Sequence, residues 1–548
     1  MVVRVIEQRQ VTPPRRRRPR IWLAGIVAFV ALVVAAVAVV VALWSGAKLS
    51  TDSTALARVE LQPLAGTLVR AAAFGPDGQS IPLRRAGGRL TPLVRLEPGE
   101  LISVDVVIRR PGWLSWALGS YRDERLTVRA PVARITDPWV TVAAGGSVRV
   151  NFAQPVSALA YATPGQPSVA LSLSGPTRAV TLPGLGGSGT AEVSAAVRPW
   201  ETLSSPIRVS WFPPASSPAL IASPAPGSSL SPAASITLTF SKPVATVLGS
   251  SLPTVSPAAA GSWRQTDSHT LVYTPAGVGE PLGSSLAVTL PRSVAVTGPS
   301  GSLTAPSREL YWTIPLGSTL RLQQLLAQEG YLPVRWTPAG AAVPQTTAAQ
   351  AQAAISPPAG AFSWRYPNTP AQLEALWKPG RANAITRGAV MRFEQTHGLA
   401  VDGLAGPMVW HALLADAVAG RRYDVPYSYV YVHSQVPQKL TLWSAGHTVL
   451  TSPGNTGIPS RPTAPGTYPV FEHIPVGTMS GINPDGAHYH DPGIRWISYF
   501  NGGDALHAFP RASYGTPQSL GCVELPLAAA AKVWPYTPVG TLVTIENS

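Results

Sequence analysis

Residues 507–525 read His-Ala-Phe-Pro-Arg-Ala-Ser-Tyr-Gly-Thr-Pro-Gln-Ser-Leu-Gly-Cys-Val-Glu-Leu. The stretch holds Cys522, the only cysteine among 548 residues. A single thiol forms no internal disulfide, so it is there for chemistry, for packing as a small apolar group, or by chance. Its neighbours favour chemistry. Gly521 lets the backbone come close to whatever meets the sulfur. Ser519 lies three residues before Cys522 and His507 fifteen before it. That second spacing leaves room for a turn and a return strand to set imidazole beside thiol. A thiol is a poor nucleophile until it becomes a thiolate, and His is its usual base.

Chain order prunes the alternatives. Papain-like and NlpC/P60-like cysteine peptidases place the His after the Cys, and no His follows Cys522 here. Sortases need a later Arg, and none lies beyond Val523. His507, then a loop, then Ser519-Leu-Gly-Cys522 resembles the catalytic motif of the L,D-transpeptidase (YkuD-type) family, with eleven residues between His507 and Ser519. Upstream, Gly457-Ile-Pro-Ser-Arg-Pro-Thr-Ala-Pro-Gly-Thr-Tyr-Pro-Val470 is similar to the family's Pro-Thr-Pro-x-Gly-x-(Tyr/Phe) stretch. Two positions depart from the pattern: Leu520 stands where most members have His, and Glu524 where many have Arg or Asn.

The resemblance implies a peptidoglycan enzyme. Cys522 would attack the carbonyl of the third residue of a stem tetrapeptide, expel D-Ala and form a thioester. His507 would move the protons, the Gly521–Cys522 backbone would hold the oxyanion, and Ser519 would fix the loop and orient His507. A neighbouring stem amine as acceptor gives a crosslink, whereas water gives a carboxypeptidase. Family membership also implies carbapenems as inhibitors. A rival from another class is a catalytically silent, wall-binding scaffold, for which Leu520 and Glu524 speak.

Length bounds the architecture: 548 residues exceed one core, so several domains are expected. Short strand-like runs bounded by the chain's 57 Pro and 49 Gly point to a multidomain, mostly β protein. Net charge is +15, but seven Arg against one Glu in the first twenty residues supply +6 of it. The remainder is too dilute for a nucleic-acid footprint, so no nucleic-acid partner is expected. A mildly basic surface suits acidic cell-wall polymers.

Residues 1–20 read as a basic cytoplasmic tail. Residues 21–44 carry no charge over twenty-four positions and follow Arg15-Arg-Arg-Arg-Pro-Arg20. That is long enough for a transmembrane helix, and the basic cluster should stay inside. The chain is then a single-pass membrane protein with its C-terminal part outside, at the wall. The competing reading is a cleaved signal peptide with a site near Ala42–Ala47.

Residues 51–214 read as β-rich modules, with Leu101–Ile108 and Ser147–Phe152 partly alternating. Residues 215–315 are similar to bacterial immunoglobulin-like repeats, on Ser235–Ser241 and the Phe-Ser-Lys-Pro-Val of 240–244. Residues 317–416 resemble a three-helix peptidoglycan-binding (PGRP-type) module, through Phe393, Asp402, Gly403, Gly406, Pro407 and Trp410. A loose inserted loop is expected at 333–358, which is rich in Ala, Gln and Pro. The last domain, 424–548, would be a YkuD-type β-sandwich whose strands supply their own core. Within it, the Pro-rich 459–469 should be a loop, 527–534 a helix, and 540–545 the strand that closes the sheet. Residues 479–491 would form a flap, with Tyr489 and His490 touching substrate and Leu520 lining the cleft. His488-Tyr-His490-Asp491 lacks a recognisable third ligand, so loop contacts are expected there rather than a metal. No cofactor is expected. His433, His447 and His473 read as strand-surface residues.

Overall fold

A computed structural model of the chain describes residues 21–143, 145–257, 260–298, 301–423 and 425–546. The basic tail 1–20 and the expected domain start at Asp424 lie outside the described residues. The chain divides into two compact units, Met1–Pro214 and Ala215–Ser548.

The first unit opens with the helix Ile21–Trp44. Its span Gly25–Trp44 is long and apolar enough to cross a membrane, a property signal sequences share, and none of it is buried. Two small sheets follow. The second runs Ser80–Ile81, Thr67–Phe74, Leu101–Arg109, Tyr121–Arg129. On Leu101–Arg109 the side chains of Ile102, Val104, Val106 and Ile108 are buried and the residues between them are not. This is the period-two signature of a strand with one face in the core. Helix Gly112–Leu118 joins that strand to Tyr121–Arg129. A separate core of Val148, Val150, Phe152 and Val209 holds the β-module after it.

The second unit begins with a seven-stranded sheet between Ala219 and Thr313. Ile236, Leu238 and Phe240 are fully buried on it. Helices Thr319–Glu329, Ala384–Thr396 and Pro407–Ala419 follow. Phe393 and Trp410 are core residues, and Asp402 Oδ1 accepts the Leu404 N–H at 2.7 Å, bracing the turn between the last two helices. The expected loose loop at 333–358 is instead ordered. Strand Val334–Pro338 pairs with Gly360–Trp364, and Thr347–Ile355 is a helix capped by Thr346. Trp336 packs on Phe362 at 5.0 Å, and Phe362 on Trp377 at 5.1 Å. These aromatics give the segment its own apolar support, and its Ala-rich middle is a good helix former.

The C-terminal part is two sheets. The first runs His447–Pro453, Lys439–Ser444, Ser428–His433, Leu542–Ile545, Gly466–Pro469. Leu542–Ile545 was expected to close the sheet, but it lies inside and runs parallel to Ser428–His433. The end of the Pro-rich stretch takes the edge, where proline is tolerated. The second sheet runs Glu472–Ile482, His488–Asn501, Asp504–Ala508, Val523–Leu525. Val430, Leu440, Leu442, Leu506, Val523 and Val543 fill the space between the sheets. The expected flap is the outer end of a long hairpin, in which Met479 pairs with Asp491 and Gly481 with Tyr489.

The strands of this part do not bury themselves alone. Tyr429, Trp443 and Leu542 belong to one continuous core with Leu326, Phe393 and Leu414 of the helices and Phe240 and Trp312 of the sheet before them. At the seam, a Cβ on Gly388 would stand 2.4 Å from the Gly540 carbonyl oxygen.

Candidate functional site

His507 lies on Asp504–Ala508, a strand held on both sides, and only 3% of it is exposed. The strand Val523–Leu525 runs parallel to it, with His507 opposite Glu524. Cys522 is the residue just before that short strand, so the pairing register itself brings thiol and imidazole to the same end of the sheet. The turn ahead of it is closed by Ser519, whose Oγ donates to the Cys522 carbonyl at 2.5 Å and accepts the Gly521 N–H at 3.3 Å. Gly521 sits at φ +123°, and a Cβ there would meet Asp504 Oδ1 at 2.2 Å. Only glycine meets both conditions without strain.

Cys522, His507, Ser519, Leu520 and Tyr489 line one cavity of about 640 Å³. Gly521 stands behind it, against Asp504. His490 does not line it. His490 is exposed, while Tyr489 and Asp491 on either side of it line the cavity, as alternation along a strand requires. Asp491, and not the expected His490, therefore stands on the cavity side of this strand.

The protonation states follow from burial. His507 Nδ1 lies 3.1 Å from the Ala508 carbonyl oxygen, which only an N–H can satisfy. In the neutral ring the lone pair is then on Nε2. Burial holds the His507 pKa below its ordinary value, against the opposing pull of the Ala508 carbonyl and Glu524. Burial likewise pushes the Cys522 thiol up to about 12, with Asp504 and Glu524 adding to it and the Ala505 N–H opposing. Both shifts favour a neutral thiol and a neutral imidazole at rest. Sγ donates to the Gly503 carbonyl at 3.6 Å, and among the described residues sulfur and imidazole share no hydrogen bond. Nor, among the described residues, does the Ser519 hydroxyl hydrogen-bond to His507: its two bonds brace the turn.

Sequence reasoning missed Arg511. Its guanidinium lines the cavity, lies over the Phe509 ring at 4.6 Å and is tied to Glu524. The signal was present, because Arg511 is the one cation within the quoted stretch and Glu524 the one acid. The remaining histidines divide. His447 is exposed, and His433 Nδ1 meets Glu546 Oε2 at 2.6 Å. His473 is not a surface residue. It stacks on Trp534 at 4.0 Å, and Nε2 contacts the Trp534 carbonyl at 3.0 Å. Among the described residues, no cluster of three His, Cys, Asp or Glu side chains is placed to hold a metal. A thiol and a neutral base lining one cleft are parts that covalent acyl transfer needs.

Residues 428–545 match the family model described as YkuD, the L,D-transpeptidase catalytic domain. No protein of curated function matches the chain. Among solved structures, an L,D-transpeptidase from Mycobacterium smegmatis is 13% identical, covering 60% of this chain and 99% of its own, with a TM-score of 0.21. L,D-transpeptidase 3 from Mycobacterium tuberculosis, in complex with a faropenem-derived adduct, is 12% identical over 60% of this chain and 97% of its own, TM-score 0.21. The catalytic domain of the E. faecium L,D-transpeptidase acylated by ertapenem is 22% identical over 22% of this chain and 99% of its own, TM-score 0.20.

Proposed function

We propose that the chain is a peptidoglycan L,D-transpeptidase acting through Cys522. The reading rests on the family match of 428–545 and is carried by one observation: Cys522 and His507, brought together by parallel strand pairing, line the same cavity. The substrate is a stem tetrapeptide. Before reaction the thiol turns from the Gly503 carbonyl to His507 Nε2. The proton passes to Nε2 as sulfur bonds to the carbonyl carbon of the third residue. The N–H of Cys522 stabilises the oxyanion. The bond to D-Ala then breaks, and the amine leaves with the proton from His507. A second stem's amine attacks the thioester as His507 takes its proton, the sulfur leaves and recovers that proton from His507, and an amide crosslink remains. Water in place of that amine makes a carboxypeptidase.

Proton transfer inside the step suits the pair. Burial holds the thiol protonated and leaves the imidazole free to accept a proton, so the proton moves as sulfur bonds to the carbonyl carbon and not before. Tyr489 and Leu520 contact the stem peptide on the cavity wall. The helix Ile21–Trp44 anchors the chain in the membrane uncleaved, with the basic tail inside and the catalytic part at the wall. Residues 317–416 bind wall polymer, and the modules before them are spacers.

One observation favours the silent-scaffold reading: the resting thiol faces Gly503 and not the base. Tetrapeptide stems incubated with the chain decide between them. Crosslinked dimer with release of D-Ala supports the transferase, and tripeptide alone the carboxypeptidase. Unchanged stems, together with no acylation by carbapenems, would leave the scaffold.

A further inference from the structure

We propose that the hairpin tip at residues 109–122 is a second membrane contact, seated among phospholipid headgroups beside the point where the N-terminal helix ends. The proposal rests on reading that helix as an uncleaved span. The tip reads Arg-Arg-Pro-Gly-Trp-Leu-Ser-Trp-Ala-Leu-Gly-Ser-Tyr-Arg, with three cations, of which Arg122 is paired with Glu124 just beyond it at 2.6 Å. Leu114 is turned inward and buried. Trp113 is 62% exposed, Trp116 85% and Tyr121 54%, and Trp44 at the helix end is 50% exposed. A short helix that buries a Leu and leaves two tryptophans in solvent has an unfilled apolar face.

The position of that face is fixed by hydrogen bonds. Arg110 Nε donates to Ser45 Oγ at 3.1 Å, and its Nη1 donates to the Leu118 carbonyl, so one guanidinium ties the tip to the helix end. Arg122 Nη1 donates to the Ala42 carbonyl. Ala42 lies two residues inside the end of the helix, roughly 3 Å along its axis. The Leu64 N–H reaches the Trp44 carbonyl and the Gln62 N–H the Gly46 carbonyl, both at 3.0 Å. The helix therefore enters the β-module as a rigid stem. The level at which it leaves the hydrocarbon is the level of the tip. Tryptophan and tyrosine concentrate at that boundary, and arginine is drawn to anionic headgroups. The occupant of the face is thus a phospholipid surface, and the tip keeps the first β-module flush with it.

The test uses the full chain with Cys522→Ser, carrying in turn Trp116→Cys, Val33→Cys or Val169→Cys labelled with an environment-sensitive fluorophore. The protein is reconstituted in phosphatidylglycerol–phosphatidylcholine vesicles. Position 33 lies in the helix, and Val169 is an exposed residue of the following module. The label at 116 should be quenched severalfold more by lipids spin-labelled near the headgroup than by lipids labelled deep in the chain, and it should resist iodide. The label at 169 should be quenched by iodide and not by lipid, and the label at 33 by the deep lipid. If 116 behaves like 169 while 33 stays quenched, the tip does not touch lipid and the proposal is wrong. Shielding of 116 from iodide without quenching by lipid means that protein covers it, which also overturns the proposal. Loss of quenching at 33 instead removes the span itself, and the tip contact with it.

Discussion

Arg511 grips Glu524 with two hydrogen bonds, Nε to Oε2 at 2.8 Å and Nη2 to Oε1 at 2.6 Å. The Glu524 side chain is 5% exposed and that of Arg511 31%. At a position where many YkuD-type proteins carry a cation or an amide, this chain carries an acid and neutralises it from thirteen residues earlier. The pair carries no net charge, and a guanidinium still lines the cavity, reached from the other side of the loop.

Breaking that pair from one side should be costly. Arg511→Met leaves a buried carboxylate without its two charged donors, a loss of about 2 kcal/mol by the usual strength of such bonds. Arg511→Met with Glu524→Gln removes both charges and should recover most of the loss. Chemical denaturation of the three chains checks this. Equal midpoints for single and double variants would show that the pair contributes nothing.

Acylation should follow the thiol. Intact-mass measurement after incubation with a carbapenem should find one added drug on the wild type and none on Cys522→Ala. His507→Gln should slow the reaction at neutral pH by about a hundredfold or more, the scale of a lost general base.

The pH profile should separate the two proton routes. Burial lowers the His507 pKa, so its basic form persists below its ordinary value of 6.5, and the wild-type acylation rate should be flat through neutrality. It should fall only as acid reaches the depressed pKa. In His507→Gln the thiol must ionise unaided, and its pKa is pushed up to about 12. The rate should then climb about tenfold per pH unit through the alkaline range. Stopped reactions sampled by mass spectrometry give both curves. A wild type that climbs like the variant has no working base.

The seam between helices and catalytic sheet should be intolerant. A methyl group on Gly388 meets the backbone oxygen of Gly540 at 2.4 Å and Leu542 Cδ2 at 3.1 Å, so backbone must move to admit it. Gly388→Ala should cost about 1–3 kcal/mol and lower the thermal midpoint of the second unit. Residues 425–546 expressed alone should bare Tyr429, Trp443 and Leu542 and aggregate, whereas a fragment from 317 should stay monodisperse in size-exclusion chromatography.

The sequence made the reacting stretch legible because its residues are close along the chain. His507, Ser519, Gly521 and Cys522 lie within sixteen positions, and the loop between them sets their geometry. The strands from Ser428 and Lys439 and the helix from Leu527 were legible for the same reason, since period and composition are local signals. Three things were not. The sign of the charge balance needed Arg511 and Glu524 to be read as a pair. The face of His490 depended on strand register, where one position decides between cavity and solvent. The ordered 333–358 segment depended on Trp336 meeting Phe362 across a hairpin whose first strand lacked a recognisable pattern. The thiol's protonation depended on burial, which no motif records.

The continuous core through Leu326, Phe393, Tyr429, Trp443 and Leu542 packs the helical segment directly against the first sheet of the C-terminal part. On the proposed function, a polymer held by the helices would be presented to Cys522 across packed protein and not across a flexible tether, so their separation would bear on which stem is reached.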